Sequence, residues 1–202
     1  MDQATAEIAQ TAARLVVEEG LEWGPAKHRA LRQLGLPART ALPGNDLVEE
    51  AVREYITLFC ADTQPRELRA LRELALQWMQ RLEPFRPHLA GAVWRGTATR
   101  LSDIYLQLFC DDPKSTEIEL INQHVEYEPS TVTGFTGQSV EALSIHAFCR
   151  PLNEEVGVHL LVHDLDDLRG ALKPDAQGRS QRGNADALRR LLAEDEQEAG
   201  HG

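Results

Sequence analysis

A chain of 202 residues, 42% hydrophobic and 26% charged, can bury one sizeable core and has the composition of an ordinary globular protein. It contains no apolar run of about 18 residues, which argues against a membrane-spanning helix and leaves no membrane partner expected. The net charge is −11, and residues 88–172 carry 5 Lys/Arg against 13 Asp/Glu, so a nucleic-acid polymer, which is held through Lys and Arg, is a poor partner. The opening Met1-Asp2-Gln3-Ala4 has neither the basic nor the apolar region of a secretory leader. Cys60, Cys110 and Cys149 are scattered and odd in number, and read as reduced thiols of a cytoplasmic protein.

In chain order, Ile8, Ala12, Leu15 and Val16 recur at helical spacing between Gln3 and Glu19, and Gly20 suits the position after the helix. Pro25 opens a second helix that stops at Gly35 and Pro37. Asn45 or Asp46 is expected to cap a third, with Val48, Val52, Tyr55, Ile56 and Phe59 on one side. Thr63 and Pro65 begin a fourth, whose stripe Leu68, Leu71, Ala75, Trp78 and Leu82 reads as helix–helix core. Pro84 and Pro87 break the pattern and mark a boundary, giving a helical N-terminal region 1–87. The α/β region 88–172 holds a strand over 103–109, a helix from Asp111 to about Gln123, a short strand near Val125 and Tyr127, and a hairpin of Ser139–Arg150 with Val156–His163. Lys173 to Asn184 reads as a flexible linker, followed by a short charged helix from Ala185 to about Leu192.

The stretch that organises this chain is Gly91-Ala92-Val93-Trp94-Arg95-Gly96, a spacer, and Ser102-Asp103-Ile104-Tyr105-Leu106-Gln107-Leu108. Alternation places Ile104, Leu106 and Leu108 on one strand face and Asp103, Tyr105 and Gln107 on the other. This spacing resembles the minimal motif of the nucleotidyltransferase superfamily, roughly G-S-x-A-R-G followed by S-D-I-D-L. Gly91, Arg95, Gly96, Ser102, Asp103, Ile104 and Leu106 match it. Ala92 stands where the superfamily has a triphosphate-binding serine, and Tyr105 where it has the second metal-binding aspartate.

The resemblance implies an α+β fold: a helical N-terminal layer, then a mixed β-sheet with helices on one face. It implies Gly91, Ala92, Arg95, Gly96, Ser102 and Tyr105 at a bound nucleoside triphosphate, and Mg²⁺ or Mn²⁺ held by Asp103 and a third carboxylate. For that third position the preferred candidate is Glu126; an alternative alignment places His159 there. A neutral phenol is a weak Mg²⁺ ligand, so Tyr105 removes one leg of a two-metal site. Arg95 and Arg100 read equally as phosphate contacts and as surface arginines. His159 and His163 lie four apart on one strand, about 13 Å, too far to chelate one ion.

The expectation is a nucleotide- or phosphate-binding protein with weak or no transfer activity. The alternatives are an active atypical nucleotidyltransferase acting on a small molecule or protein side chain, and a non-catalytic scaffold that binds a partner. The helical layer is the expected homodimer surface. No P-loop, G-x-G-x-x-G, G-x-S-x-G or zinc-spaced cysteine pair occurs.

Overall fold

The computed structural model describes residues 3–199. They form an α+β fold, with N-terminal helices followed by a six-stranded mixed sheet and further helices. The chain divides into two units: residues up to Arg66 together with Thr97–Leu101, and Glu67–Gly96 together with Ser102 onward.

In the first unit, α1 (Gln3–Glu19), α2 (Trp23–Gln33) and α3 (Asn45–Phe59) pack around α1. One side of α1 sets Ala9, Ala13 and Val17 against Val48, Val52 and Ile56. Another sets Ile8, Ala12 and Leu15 against Ala26, Ala30 and Leu31. The cap of α3 differs from expectation: Gly44 occupies it without a side-chain bond, and the Asn45 Oδ1 instead accepts from Lys27 Nζ at 2.9 Å.

The next helix, α4, spans Gln64–Arg81. The sheet of the second unit contains β1 (His88–Ala90), β2 (Ile104–Cys110), β3 (Glu128–Thr133), β4 (Ser139–Cys149), β5 (Glu154–Asp164) and β6 (Arg182–Gly183), in the order β3-β4-β5-β2-β1-β6. Only the β2–β5 pair is parallel. Its crossover is made by α6 (Lys114–Asn122) and the β3–β4 hairpin.

Register sorts the two faces. The rows Ile104–Val158–Ile145 and Leu106–Leu160–Leu143 are buried and form the core face, where the Ala70 carbonyl of α4 meets the Cys149 thiol. Ala90, Tyr105, His159, Ser144 and Glu128 form one row across the opposite face. Residues near Val125 and Tyr127 are not a strand; pairing starts at Glu128.

The segment expected as a linker carries structure of its own. Asp175 accepts from the Gln177 and Arg179 backbone N–H groups at 2.9 and 2.8 Å and from Gln181 Nε2 at 2.6 Å, closing a turn. The chain then enters β6, where Trp94 Nε1 donates to the Ser180 carbonyl at 2.8 Å. A Cβ on Gly183 would lie 2.1 Å from the Trp94 ring, so a glycine is required for the indole to sit there. Gly183→Val is therefore expected to undock β6 and to cost roughly 1–3 kcal/mol, the usual penalty of overpacking. Urea unfolding followed by tryptophan emission would measure it. After the short helix α7 (Leu168–Ala171), the final helix, α8 (Ala185–Ala199), runs beyond its expected end, and no helix among the described residues is long and apolar enough to cross a membrane.

Candidate functional site

The Gly91–Gly96 turn folds as one helical turn, α5 (Gly91–Arg95), bracketed by two glycines at positive φ, +72° and +83°. Gly91 follows β1, and a Cβ there would contact the Tyr105 ring at 3.6 Å. Ala92 is half-buried and its carbonyl accepts from Gly96 N–H at 2.9 Å. Arg95 ends the turn, half-buried. The turn is fixed from behind by Arg72 of α4, which is only 5% exposed. Its guanidinium donates to the carbonyls of Val93 (3.1 Å) and Trp94 (3.2 Å), and to the Asp195 carboxylate (2.9 Å). Nothing in the motif pointed to Arg72, which sits inside an apolar helical stripe.

Ser102 is half-buried just before β2, and Asp103 follows it at the strand's mouth. Both oxygens of the Asp103 carboxylate are engaged. Oδ1 accepts from the Gly157 N–H at 3.2 Å, and Oδ2 lies 3.0 Å from His159 Nε2. The other imidazole nitrogen, Nδ1, lies 2.8 Å from the Ser144 hydroxyl. With the proton on Nε2, His159 donates to Asp103 and accepts from Ser144, so every polar atom in the string is satisfied. The Tyr105 ring lies on the imidazole with centroids 4.9 Å apart and planes 31° apart. Asp103 is 46% and His159 24% exposed, which leaves the cluster open to solvent.

Glu126 lies elsewhere. It is an exposed loop residue leading into β3, the edge strand, and β4 and β5 stand between β3 and β2. With strands about 4.8 Å apart, three strand spacings separate it from the Asp103 row. The hydrogen bonds join Asp103 to His159, the position of the alternative alignment, and not to Glu126. Among the described residues no three His, Cys, Asp or Glu side chains gather as a metal-holding group.

Ser144, His159 and Asp103 also follow the order of a nucleophilic triad. Ser144, however, is paired on both sides, with Glu128 and with His159, in the middle of an interior strand. Its neighbouring backbone N–H groups are committed to the ladder, so no oxyanion hole is at hand. A separate cavity of about 440 Å³, lined by Met79, Pro87, His88, Leu168, Leu172 and Arg189 among others, does not include the Asp103 cluster.

Farther along the same face the strands are closed over. Gln107 is 8% and His163 1% exposed. His163 stacks on Phe109 at 5.4 Å and lies 4.6 Å from Phe135, while His88 meets Phe109 edge-on at 5.5 Å. Burial lowers the pKa of both His163 and His88 below the usual 6.5. Nearby Arg182 lowers them further, while Asp167 opposes the shift at His163 and the Arg86 carbonyl opposes it at His88. A histidine whose folded pKa is depressed takes up its proton more readily when unfolded. Its stabilisation is therefore complete above pH 6.5 and lost as pH falls below it. Urea midpoints are expected to drop between pH 7.5 and 5.5, and the drop is expected to shrink in His163→Phe.

No protein-family model and no curated protein matches the sequence. Among solved structures, the chain is similar in part to two of the Cid1 poly(U) polymerase, one with MgGTP bound and one in complex with the UTP analogue UMPNPP. The identities are 13% and 16%, the TM-scores 0.34 and 0.33, and 55% of this chain is covered in each case. The chain spans only 38% and 37% of those structures.

Proposed function

We propose that this is a nucleotidyltransferase-like domain that binds a nucleotide or another phosphate compound on the Asp103–Tyr105–His159 face, without two-metal transfer. One observation carries the reading: where paired carboxylates would have to stand, a single carboxylate is bonded to a backbone N–H and to an imidazole on which the Tyr105 ring lies. Mg²⁺ takes hard oxygen ligands, and a two-metal clamp needs several carboxylates. This donor set does not fit a pair of Mg²⁺ or Mn²⁺ ions. What the face does offer is a solvent-facing row of hydrogen-bonding side chains, His159 and Ser144, whose present bonds to Asp103 and to each other a ligand would exchange for its own, beside a turn held by Arg72.

The test is thermal unfolding with ATP, CTP, GTP, UTP and tripolyphosphate, each with and without Mg²⁺, since a ligand that binds the native state alone raises the melting temperature. A shift with at least one of these compounds, present without metal and reduced in Tyr105→Ala/His159→Ala, supports the reading. Rapid Mg²⁺-dependent nucleotide consumption by the native chain would sink it, as would the absence of any shift.

A partner-binding scaffold remains the second reading, favoured by one feature of the first unit. Leu58 and Phe59 are 73% and 69% exposed at the end of α3, beside a hollow of about 310 Å³ between α1 and α3. Sedimentation of the native chain against Leu58→Glu/Phe59→Glu would test whether this surface makes a homodimer.

A further inference from the structure

The closed end of the same sheet face carries polar atoms with nothing to bond. Both ring nitrogens of His163, the Oε1 of Gln107 and the Nε of Arg182 are shielded from solvent and lack hydrogen-bond partners. His163 is 99% and Gln107 92% buried, so water does not compensate from outside. Buried polar side chains are ordinarily satisfied, so a cluster of unpaired ones calls for a physical explanation.

Against His163 and Arg182 lies Phe135, at the tip of the β3–β4 turn. It is 37% exposed. Its centroid is 4.6 Å from that of His163, 6.3 Å from that of Phe109 and 4.7 Å from the Arg182 guanidinium carbon. Two aromatic rings and a guanidinium form the surroundings in which single-stranded bases stack, because every base has a π-face. A phenyl ring fills such surroundings but has no polar edge for Gln107 or His163.

The turn is a compact unit, closed by bonds from the Gly134 N–H to the Gln138 carbonyl (2.8 Å) and from the Gly137 N–H to the Gly134 carbonyl (3.0 Å). Gly134 lies so close to the imidazole that a Cβ there would meet His163 Cε1 at 2.9 Å, and Gly137 has φ +82°. Glycines thus flank the ring on both sides. Arg182 is brought in by β6 and anchored through its Nη1 to the Ala171 carbonyl, so the cation stays in place if the turn swings away.

We propose that Phe135 is a removable plug in a nucleobase slot made by Phe109, His163 and Arg182, with Gln107 and His163 reading the edge of the base. The proposal rests on the nucleotide reading above and adds the place of the base. His163 lies four residues, about 13 Å, along β5 from His159, a separation that a nucleotide extended along the strand can cover. Entry of the base requires the turn to release its phenylalanine, so the native chain binds nucleosides weakly.

The experiment titrates adenosine, guanosine, cytidine and uridine, and separately tripolyphosphate, into the full chain and into Phe135→Ala and Phe135→Leu by calorimetry. Phe135→Ala is expected to bind at least one nucleoside about tenfold or more tighter than the native chain, as expected for an unblocked stacking site. Phe135→Leu, which still fills the slot, is expected to gain less, and Gln107→Ala added to Phe135→Ala to blunt the preference among bases. Should the alanine variant fold poorly, Phe135→Trp provides a second measure: saturating nucleoside is expected to shift the added indole emission to the red as the ring leaves. No nucleoside gain in folded Phe135→Ala, or no emission change in Phe135→Trp, overturns the slot. Tripolyphosphate binding without any nucleoside gain overturns the slot and leaves the phosphate face standing. A nucleoside gain without tripolyphosphate binding supports the slot and removes the phosphate face.

Discussion

The double variant Tyr105→Asp/His159→Asp is expected to bind Mn²⁺ on the order of a hundredfold more tightly than the native chain, because it rebuilds a hard-oxygen donor set around Asp103. The reason is register. Tyr105 and His159 are direct partners on adjacent parallel strands, and Asp103 lies two residues before Tyr105, beside Gly157. Three carboxylates would then converge from two neighbouring strands. Replacing His159 also frees Asp103 Oδ2, which the imidazole holds at 3.0 Å in the native chain. His159→Asn alone is the control, since it releases that oxygen without adding a carboxylate and is expected to gain little. Mn²⁺ binding is measured by electron paramagnetic resonance. A folded double variant with no more affinity than the native chain would mean that these side chains do not share an open face.

Arg72→Met is expected to be the most damaging single substitution discussed for the sheet unit, at roughly 2–4 kcal/mol. It strips donors from the Val93 and Trp94 carbonyls and leaves Asp195 without its cation. Asp195 is 38% exposed, so water softens its loss, and the larger share comes from the two carbonyls at the end of α5. For a chain of this size the melting temperature should fall by about 5–12 °C. Arg72→Lys is expected to rescue little, because one ammonium cannot span three acceptors in a planar fork. Calorimetry of both variants measures this; equal melting of Arg72→Met and the native chain would show that the turn stands without its guanidinium.

Much of this was legible in the residues. The alternation from Asp103 to Leu108 separates the two faces of β2, and the helical stripes of α1, α3 and α4 are visible as periodicity. The choice between Glu126 and His159 was not legible locally, because it depends on strand order. Glu126 follows the first helix after β2 in sequence, yet the strand that pairs with β2 in parallel is β5, reached only after a further hairpin. Nearness along the chain favours Glu126, whereas the parallel crossover delivers His159. Arg72 was hidden for a related reason. A helical pattern tells which side of α4 is apolar, but not that an isolated turn presents bare carbonyls to one buried arginine. The segment 173–184 has the composition of a linker, and its order comes from one carboxylate, Asp175, and one distant indole, Trp94.

The notch at Gly157 has a consequence for how the chain finds its fold. A Cβ at that position would stand 2.8 Å from the Asp103 carboxyl carbon, so the acid occupies the space of an absent methyl group. Parallel strands have no tight turn to set their alignment, and a slip of one residue would invert every face of β5. Val156 and Val158, on either side of the notch, would collide with the acid after any such slip. The carboxylate thus serves as a key in a lock, indexing two strands that lie more than 40 positions apart in the chain.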